Sequence, residues 1–491
     1  MPAEAVEGPD TSPGEKALRG VPWTLLGFTA TRGLSLVGTI VVARLVPPDQ
    51  MGVVLTGLIV INYLNLLADN GMGPALIVRD KVDRNYTGTV LTTMLSIAFV
   101  GAALTALFAE PISNIFGEPR LASVLPWLAW SSVLVTGTYF FSSYLQREML
   151  FRRRFVGQFT LAVTYMVTTV TAAALGAGLW SLVIGQLSSA GLAFLVLFIV
   201  TPHRPLPRFR MASFRDAWSD SRQFLAQAAS QTLIDGIPFL AVASLLGARP
   251  LALLNMGYRL GELPVRGISI PVAEATYPAF ARMRNGDATG ALLTSLKFVL
   301  LAGIAFLVTL AALAHPFREA ILGPHWVGLE PVLRILCIWA LIALPANVLN
   351  WYVNANGGAR YQARVNVVRL VVIGGSVFVA AANGGSLELI ALLIVLDATL
   401  DLIFVSYYCH NRIGIGIGRI AAQLTPLAAA GAVLAGAAVG ADLLLQGAGL
   451  PPFVVLVVGA IIALAAFAGA LVFFDRGIVF QTRDLLRRAL T

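Results

Sequence analysis

Along its length the chain alternates apolar blocks of about twenty residues with short polar connectors, and about twenty apolar residues carry an α-helix across roughly 30 Å of hydrocarbon. The blocks predict about fourteen membrane-spanning helices, at 21–45, 51–69, 87–109, 121–145, 155–176, 179–201, 219–246, 250–277, 290–314, 327–351, 360–382, 386–408, 420–443 and 451–474. Residues 475–491 interleave Leu485, Leu486 and Ala489 with Arg483, Arg487 and Arg488, the pattern of a short amphipathic helix lying on a membrane surface. The opening MPAEAVEGPDTSPGEKALRG is polar and rich in Pro and Gly. It lacks the short apolar core and small-residue cleavage site of a signal peptide, so residues 1–20 read as a disordered cytoplasmic tail.

Composition turns this pattern into a class. The 491 residues are 57% hydrophobic and 12% charged, with mean hydropathy +0.81. A soluble domain is about 25% charged, so a soluble globular protein is excluded and the fold class is all-α membrane protein. Cys337 and Cys409 both lie inside apolar blocks and read as small buried hydrophobes, with no disulfide framework. The histidines at 203, 315, 325 and 410 are scattered near helix ends and make no metal set.

The net charge of +9 would suit nucleic acid, but its distribution does not. With the N-terminus inside, the cytoplasmic segments and span ends take most of the 34 Lys and Arg residues, among them Arg147, Arg152, Arg153, Arg154, Arg364 and Arg369. The opposite side holds Arg44, Arg120, Arg249 and Arg318. This is the positive-inside asymmetry of a multi-pass protein with both termini cytoplasmic.

A weak repeat is also visible. Residues 43–54, ARLVPPDQMGVV, align without gaps on 243–254, ASLLGARPLALL, six spans later. Two parallel six-helix lobes would follow, although chance likeness between Leu/Ala-rich stretches gives the same alignment.

Charges inside the spans mark cavities or pairs, because each costs on the order of 3 kcal/mol at the bilayer centre. Arg32 falls midway along the 21–45 span. Arg259, Glu262 and Arg266 are spaced three and four apart, which puts them on one helical face. Arginine stays protonated and forks onto phosphate oxygens, so these residues suit a pyrophosphate or other anionic headgroup. Asp235, Asp397 and Asp401 are the acidic counterparts; they read either as a structural polar seam or as a proton or cation coupling site. Pro264 and Pro271, with Gly236 and Pro238, would kink the helices beside these charges. No HExxH, P-loop or GxSxG is present, and GIGIG at 414–418 lies in a short loop before a span. The chain therefore reads as a transporter with no cofactor.

Five stretches carry a resemblance. VVARLVPPDQMG at 41–52, LADNGMGPALIVRD at 67–80, LQREMLFRRRF at 145–155, GAGLWSLVIGQ at 176–186 and the long run 243–283 occur in the order and positions of motifs in the Wzx-type polysaccharide flippases. These belong to the multidrug/oligosaccharidyl-lipid/polysaccharide exporter superfamily, and the similarity is to the WzxC-like branch. The resemblance strengthens the two-lobe plan. It implies residues 21–201 as an N-lobe, 202–218 as a linker and 219–409 as a C-lobe around a central cavity, with 410–474 adding two helices and 475–491 a cytoplasmic tail. Arg259, Leu260, Glu262 and Pro264 also match the RLxEFP pattern of the related lipid II flippases, and Arg32 takes the place of a cavity arginine there. A second such arginine is replaced by Gly38, which implies a differently arranged anion site.

The implied activity is translocation of a polyprenyl-pyrophosphate-linked oligosaccharide across the cytoplasmic membrane, with membrane lipids and a polysaccharide polymerase and chain-length machinery as partners. A cation-coupled multidrug exporter of the same superfamily and a membrane enzyme of polysaccharide assembly are the alternatives. The first would want surplus carboxylates, and the second a large outer loop.

Overall fold

The computed structural model of the protein describes residues 33–34, 37–79, 82–202, 204–272, 276, 287–413 and 417–474. Among the described residues every regular element is helical. Residues 37–45 form α1, followed by α2 (Pro48–Asp69), α3 (Met72–Val78), α4 (Arg84–Leu107), α5 (Ala109–Ile115), α6 (Leu121–Arg147), α7 (Phe151–Ala174), α8 (Leu179–Val200), α9 (Met211–Leu245) and α10 (Ala248–Pro264). Beyond them come α11 (Asp287–Ala312), α12 (Ala314–Phe317), α13 (Leu329–Ala355), α14 (Ala359–Ala382), α15 (Leu387–Tyr408), α16 (Ile417–Gly447) and α17 (Pro452–Phe474). Twelve of the described helices are long and apolar enough to cross a membrane, and the chain is a multi-span membrane protein.

Those twelve correspond to twelve of the predicted spans. The other two, 21–45 and 250–277, fall partly outside the described residues, as do both polar tails. The helix ends are set by local chemistry. Pro47–Pro48 opens α2, where the missing N–H costs nothing, and Asn70 closes it in the left-handed region at φ +52°. Asp83 caps α4 by accepting from the Tyr86 N–H at 2.7 Å, and Ser386 caps α15 in the same way with Leu389. α9 begins at Met211, so it includes residues 211–218, which the sequence assigned to a linker. At Pro264 the α-helical pairing of α10 gives way to a π-turn over Val265–Ser269. Proline supplies no N–H to the ladder, and a wider turn absorbs the mismatch.

The chain divides into two compact units between Leu233 and Ile234, within α9. In the first unit α6 packs against α2, α4 and α8, and α7 pairs with α8. Its core gathers Met94, Phe140, Phe141, Leu145 and Leu197, with Phe140 edge-on to Phe141 at 5.4 Å between ring centres. The α7–α8 approach depends on Gly185, where a Cβ would stand 1.8 Å from Thr169 Oγ1. Small residues at such contacts let membrane helices pack where no hydrophobic force drives them together.

In the second unit α13 is central, packing on α10, α11 and α15. Trp339 of α13 stacks on Tyr258 of α10 at 4.3 Å, and Phe239 of α9 meets the same tyrosine edge-on at 5.2 Å. α16 and α17 pair with each other and rest on α11.

Candidate functional site

The residues singled out from the sequence separate into three groups. Arg32 lies outside the described residues. The α10 group is partly assembled: Arg266 Nε meets Glu262 Oε1 at 2.6 Å, an i,i+4 pair carried across the start of the π-turn. Arg259, one turn earlier, is exposed and has no ion pair among the described residues. Glu262 therefore serves one arginine, not two, and the guanidinium of Arg259 is left to solvent or to an anionic ligand. Tyr258, fixed between Trp339 and Phe239, lies in the field of Glu262, Asp235 and Arg266. It fixes the stretch of α10 from which Arg259 projects.

The third group is more fully built than the sequence indicated. Asp397 and Asp401 share one face of α15, and both are held by Arg369 of α14. Arg369 Nε and Nη2 reach the two Asp397 oxygens at 2.9 and 2.7 Å, a fork-on-fork contact. Its Nη1 lies 2.7 Å from Asp401 Oδ1. Asn350 of α13 donates to Asp401 Oδ2 at 2.9 Å, and Gln362 donates to Asn350 Oδ1 at 2.6 Å. Three helices of the second unit are thus joined through one polar cluster. Asp235 also acts electrostatically on Arg369.

The charge count groups Arg369 with the cytoplasmic segments, whereas the structure holds it within the 360–382 span itself. Arg369 lies well inside α14 with its side chain 11% exposed. Its aliphatic neighbours hide it in a hydropathy window, and the carboxylates that keep it there are remote in sequence. The cluster carries two carboxylates for one guanidinium, so with all three ionised its net charge is −1. Removing one partner from a buried ion pair leaves an uncompensated charge and costs about 3–5 kcal/mol.

Sequence reasoning missed two further clusters. In the first unit Arg79, just after α3, meets Asp220 at 2.5 Å and Asp216 at 3.4 Å, both on the early turns of α9, and lies over the Tyr86 ring at 4.4 Å. Burial works against the charge of Arg79, but the Asp220 contact outweighs it and holds the guanidinium above its ordinary range. Arg147 tethers the same end of α3 through the Leu76 and Arg79 carbonyls. In the second unit Arg318 is buried, its Nε 2.6 Å from Glu330 Oε1, while His315 Nδ1 is 2.9 Å from the same oxygen. Only the second cluster joins residues across a short connector, where cations facing an acidic residue were the available signal; the first closes 141 positions and left none. Arg334 is exposed, with its Nε 3.3 Å from the Ala311 carbonyl. Among the described residues no set of three His, Cys, Asp or Glu side chains could hold a metal ion.

The backbone places these clusters in a known class of fold. The chain superimposes on the inward-closed lipid II flippase MurJ with a TM-score of 0.75, at 14% identity, covering 94% of this chain and 100% of that one. It also superimposes on an inward-facing multidrug resistance MATE transporter of the MOP superfamily with a TM-score of 0.60, at 15% identity over 82% and 96% of the two chains. The chain therefore shares the helical fold of these two proteins. Residues 41–331 match the polysaccharide biosynthesis protein family, and the chain belongs to it. Among its relatives are the succinoglycan biosynthesis transport protein ExoT of Rhizobium meliloti, 26% identical over 77% of each chain, and the lipopolysaccharide biosynthesis protein WzxC of Escherichia coli, 22% identical over 74% of this chain and 75% of that one. The teichuronic acid biosynthesis protein TuaB of Bacillus subtilis is 22% identical over 66% of this chain and 68% of its own length.

Proposed function

We propose that the protein is a flippase, not an enzyme, and that it carries a polyprenyl-pyrophosphate-linked oligosaccharide across the cytoplasmic membrane by alternating access. The observation that carries this reading is membership of the polysaccharide biosynthesis family over residues 41–331 on the backbone of a lipid II flippase. The relatives named for succinoglycan, lipopolysaccharide and teichuronic acid biosynthesis support a lipid-linked glycan as the cargo.

In this reading Arg259 contacts the pyrophosphate and Glu262 fixes Arg266 beside it; Arg32 is a second proposed phosphate contact. Asp235, Asp397 and Asp401 are the proposed coupling group. The two-lobe layout, cytoplasmic termini and work alongside a polysaccharide polymerase belong to the same proposal. A multidrug exporter is disfavoured on physical grounds. Arg369 already bridges Asp397 and Asp401, the carboxylates that would receive a cationic drug, and leaves them a single net negative charge.

The test is complementation of a host that lacks its own polysaccharide flippase. The intact chain restores surface polysaccharide, and Arg259→Ala abolishes it at unchanged protein level. Normal polysaccharide from the variant removes Arg259 from the site. Failure of the intact chain with every candidate repeat unit overturns the flippase reading.

A further inference from the structure

A second group of polar side chains, all within the first unit, belongs to none of the clusters above. Asp69 ends α2, Gly73 lies on α3, Tyr139, Ser142 and Ser143 lie on α6, and Arg154 is in the first turn of α7. The Gly73 N–H donates to Asp69 Oδ1 at 3.2 Å. A Cβ on Gly73 would stand 2.5 Å from Tyr139 Cε1, 2.9 Å from Asp69 Oδ1 and 3.1 Å from Ser143 Oγ, so only glycine lets these three side chains close on α3 here. Tyr139 interacts electrostatically with both Asp69 and Arg154.

Two features mark this as a place for a ligand. The first is Arg154. Its neighbours Arg152 and Arg153 are exposed, whereas Arg154 is half-buried and donates Nε to Ser142 Oγ at 3.1 Å. Among the described residues it has no ion pair, and its two Nη groups are available. The second is Tyr139. The residue is 42% exposed, although Phe140 and Phe141 beside it are core. Trp127 and Trp130 of α6 are also exposed, Trp130 packed edge-on with Phe99, and at 100° per residue Tyr139 projects about 120° from the first and about 180° from the second. Helix α6 thus exposes aromatics on two opposite faces. The face with Tyr139 is flanked by a carboxylate and a guanidinium, which are not left in hydrocarbon.

We infer that Arg154, Tyr139 and Asp69 form a subsite for a glycosyl phosphate, the junction of phosphate and first sugar in a lipid-linked glycan. The inference rests on the flippase reading. The Nη groups of Arg154 take phosphate oxygens, the Tyr139 ring covers a pyranose face, and the Asp69 carboxylate, which already accepts from the Gly71 and Gly73 N–H groups, uses its remaining lone pairs to accept from sugar hydroxyls. The charge pattern selects this class over a bare phosphate. Asp69 repels an isolated anion, but it suits a ligand whose charged part is followed by neutral hydroxyls.

The test is binding of farnesyl diphosphate and of glucosyl-diphosphoryl farnesol to the full-length protein in detergent. Arg154→Ala should weaken both probes roughly ten- to a hundredfold. Tyr139→Leu, Asp69→Asn and Gly73→Ala should weaken only the glucosylated probe. Melting temperatures identify any variant that fails to fold; if Arg154→Ala does, Tyr139→Leu carries the test. Wild type that binds both probes, with Arg259→Ala weakened and the Arg154 and Tyr139 variants unchanged, overturns this subsite and leaves the flippase reading standing. Wild type that binds neither probe overturns both.

Discussion

Arg369 of α14 grips Asp397 of α15 at two points, at 2.9 and 2.7 Å, and its remaining terminal nitrogen reaches Asp401. A guanidinium that meets two carboxylates at this depth is held by geometry as well as charge. Arg369→Ala should therefore lower unfolding stability by about 3–5 kcal/mol, because two carboxylates are left facing each other. Adding Asp397→Asn and Asp401→Asn should restore much of the loss, since the uncompensated charges go too. Thermal unfolding of the purified variants measures both effects. A single variant as stable as wild type would show that the triad is not a structural tie.

The α10 group separates binding from folding. Arg259 is exposed and unpaired among the described residues, so Arg259→Ala should change stability by no more than about 0.5 kcal/mol while abolishing surface polysaccharide. Arg266→Ala leaves Glu262 alone and should cost stability, by about 1 kcal/mol or less because the arginine is 43% exposed. Melting curves beside a polysaccharide assay distinguish the two arginines.

At the end of α3, Arg79 joins that turn to Asp220 of α9. Arg79→Asp or Asp220→Arg alone places like charges together and should reduce protein yield. The double exchange should recover it in part, by up to about 1 kcal/mol in a double-mutant cycle for a pair this exposed. A cycle with no coupling would make the contact incidental.

Gly185 sets the closest approach of α7 and α8. Gly185→Leu cannot be housed beside Thr169 without moving one helix, so it should lower stability by about 1–3 kcal/mol. Unfolding of that variant in detergent checks this.

These clusters also show what a sequence can carry. The spans were legible because hydropathy is local: an apolar block reports its own solvent whatever it packs against. The spacing of Arg259, Glu262 and Arg266 was legible too, but Glu262's choice of Arg266 becomes visible only with the π-turn after Pro264. Asp397 and Asp401 could be seen as two buried carboxylates on one face, and such a pair calls for a cation. Arg369 is separated from Asp397 by 28 positions, and its aliphatic surroundings disguise it as part of an ordinary span. The Arg79–Asp220 contact closes 141 positions and is a product of tertiary folding alone. Arg154 was counted among loop charges because it follows two other arginines; only the helix shows that it turns inward while they do not.

The central claim is that the chain moves a lipid-linked glycan between leaflets. The most direct measurement reconstitutes the purified protein into liposomes that carry a polyprenyl-diphosphate-linked oligosaccharide in both leaflets. A glycan-modifying enzyme added outside then reports how much of the lipid becomes accessible. Near-complete modification by wild type, with Arg259→Ala stalled at the outer-leaflet half, is the predicted result. Equal modification in protein-free liposomes and in liposomes holding wild type would contradict it.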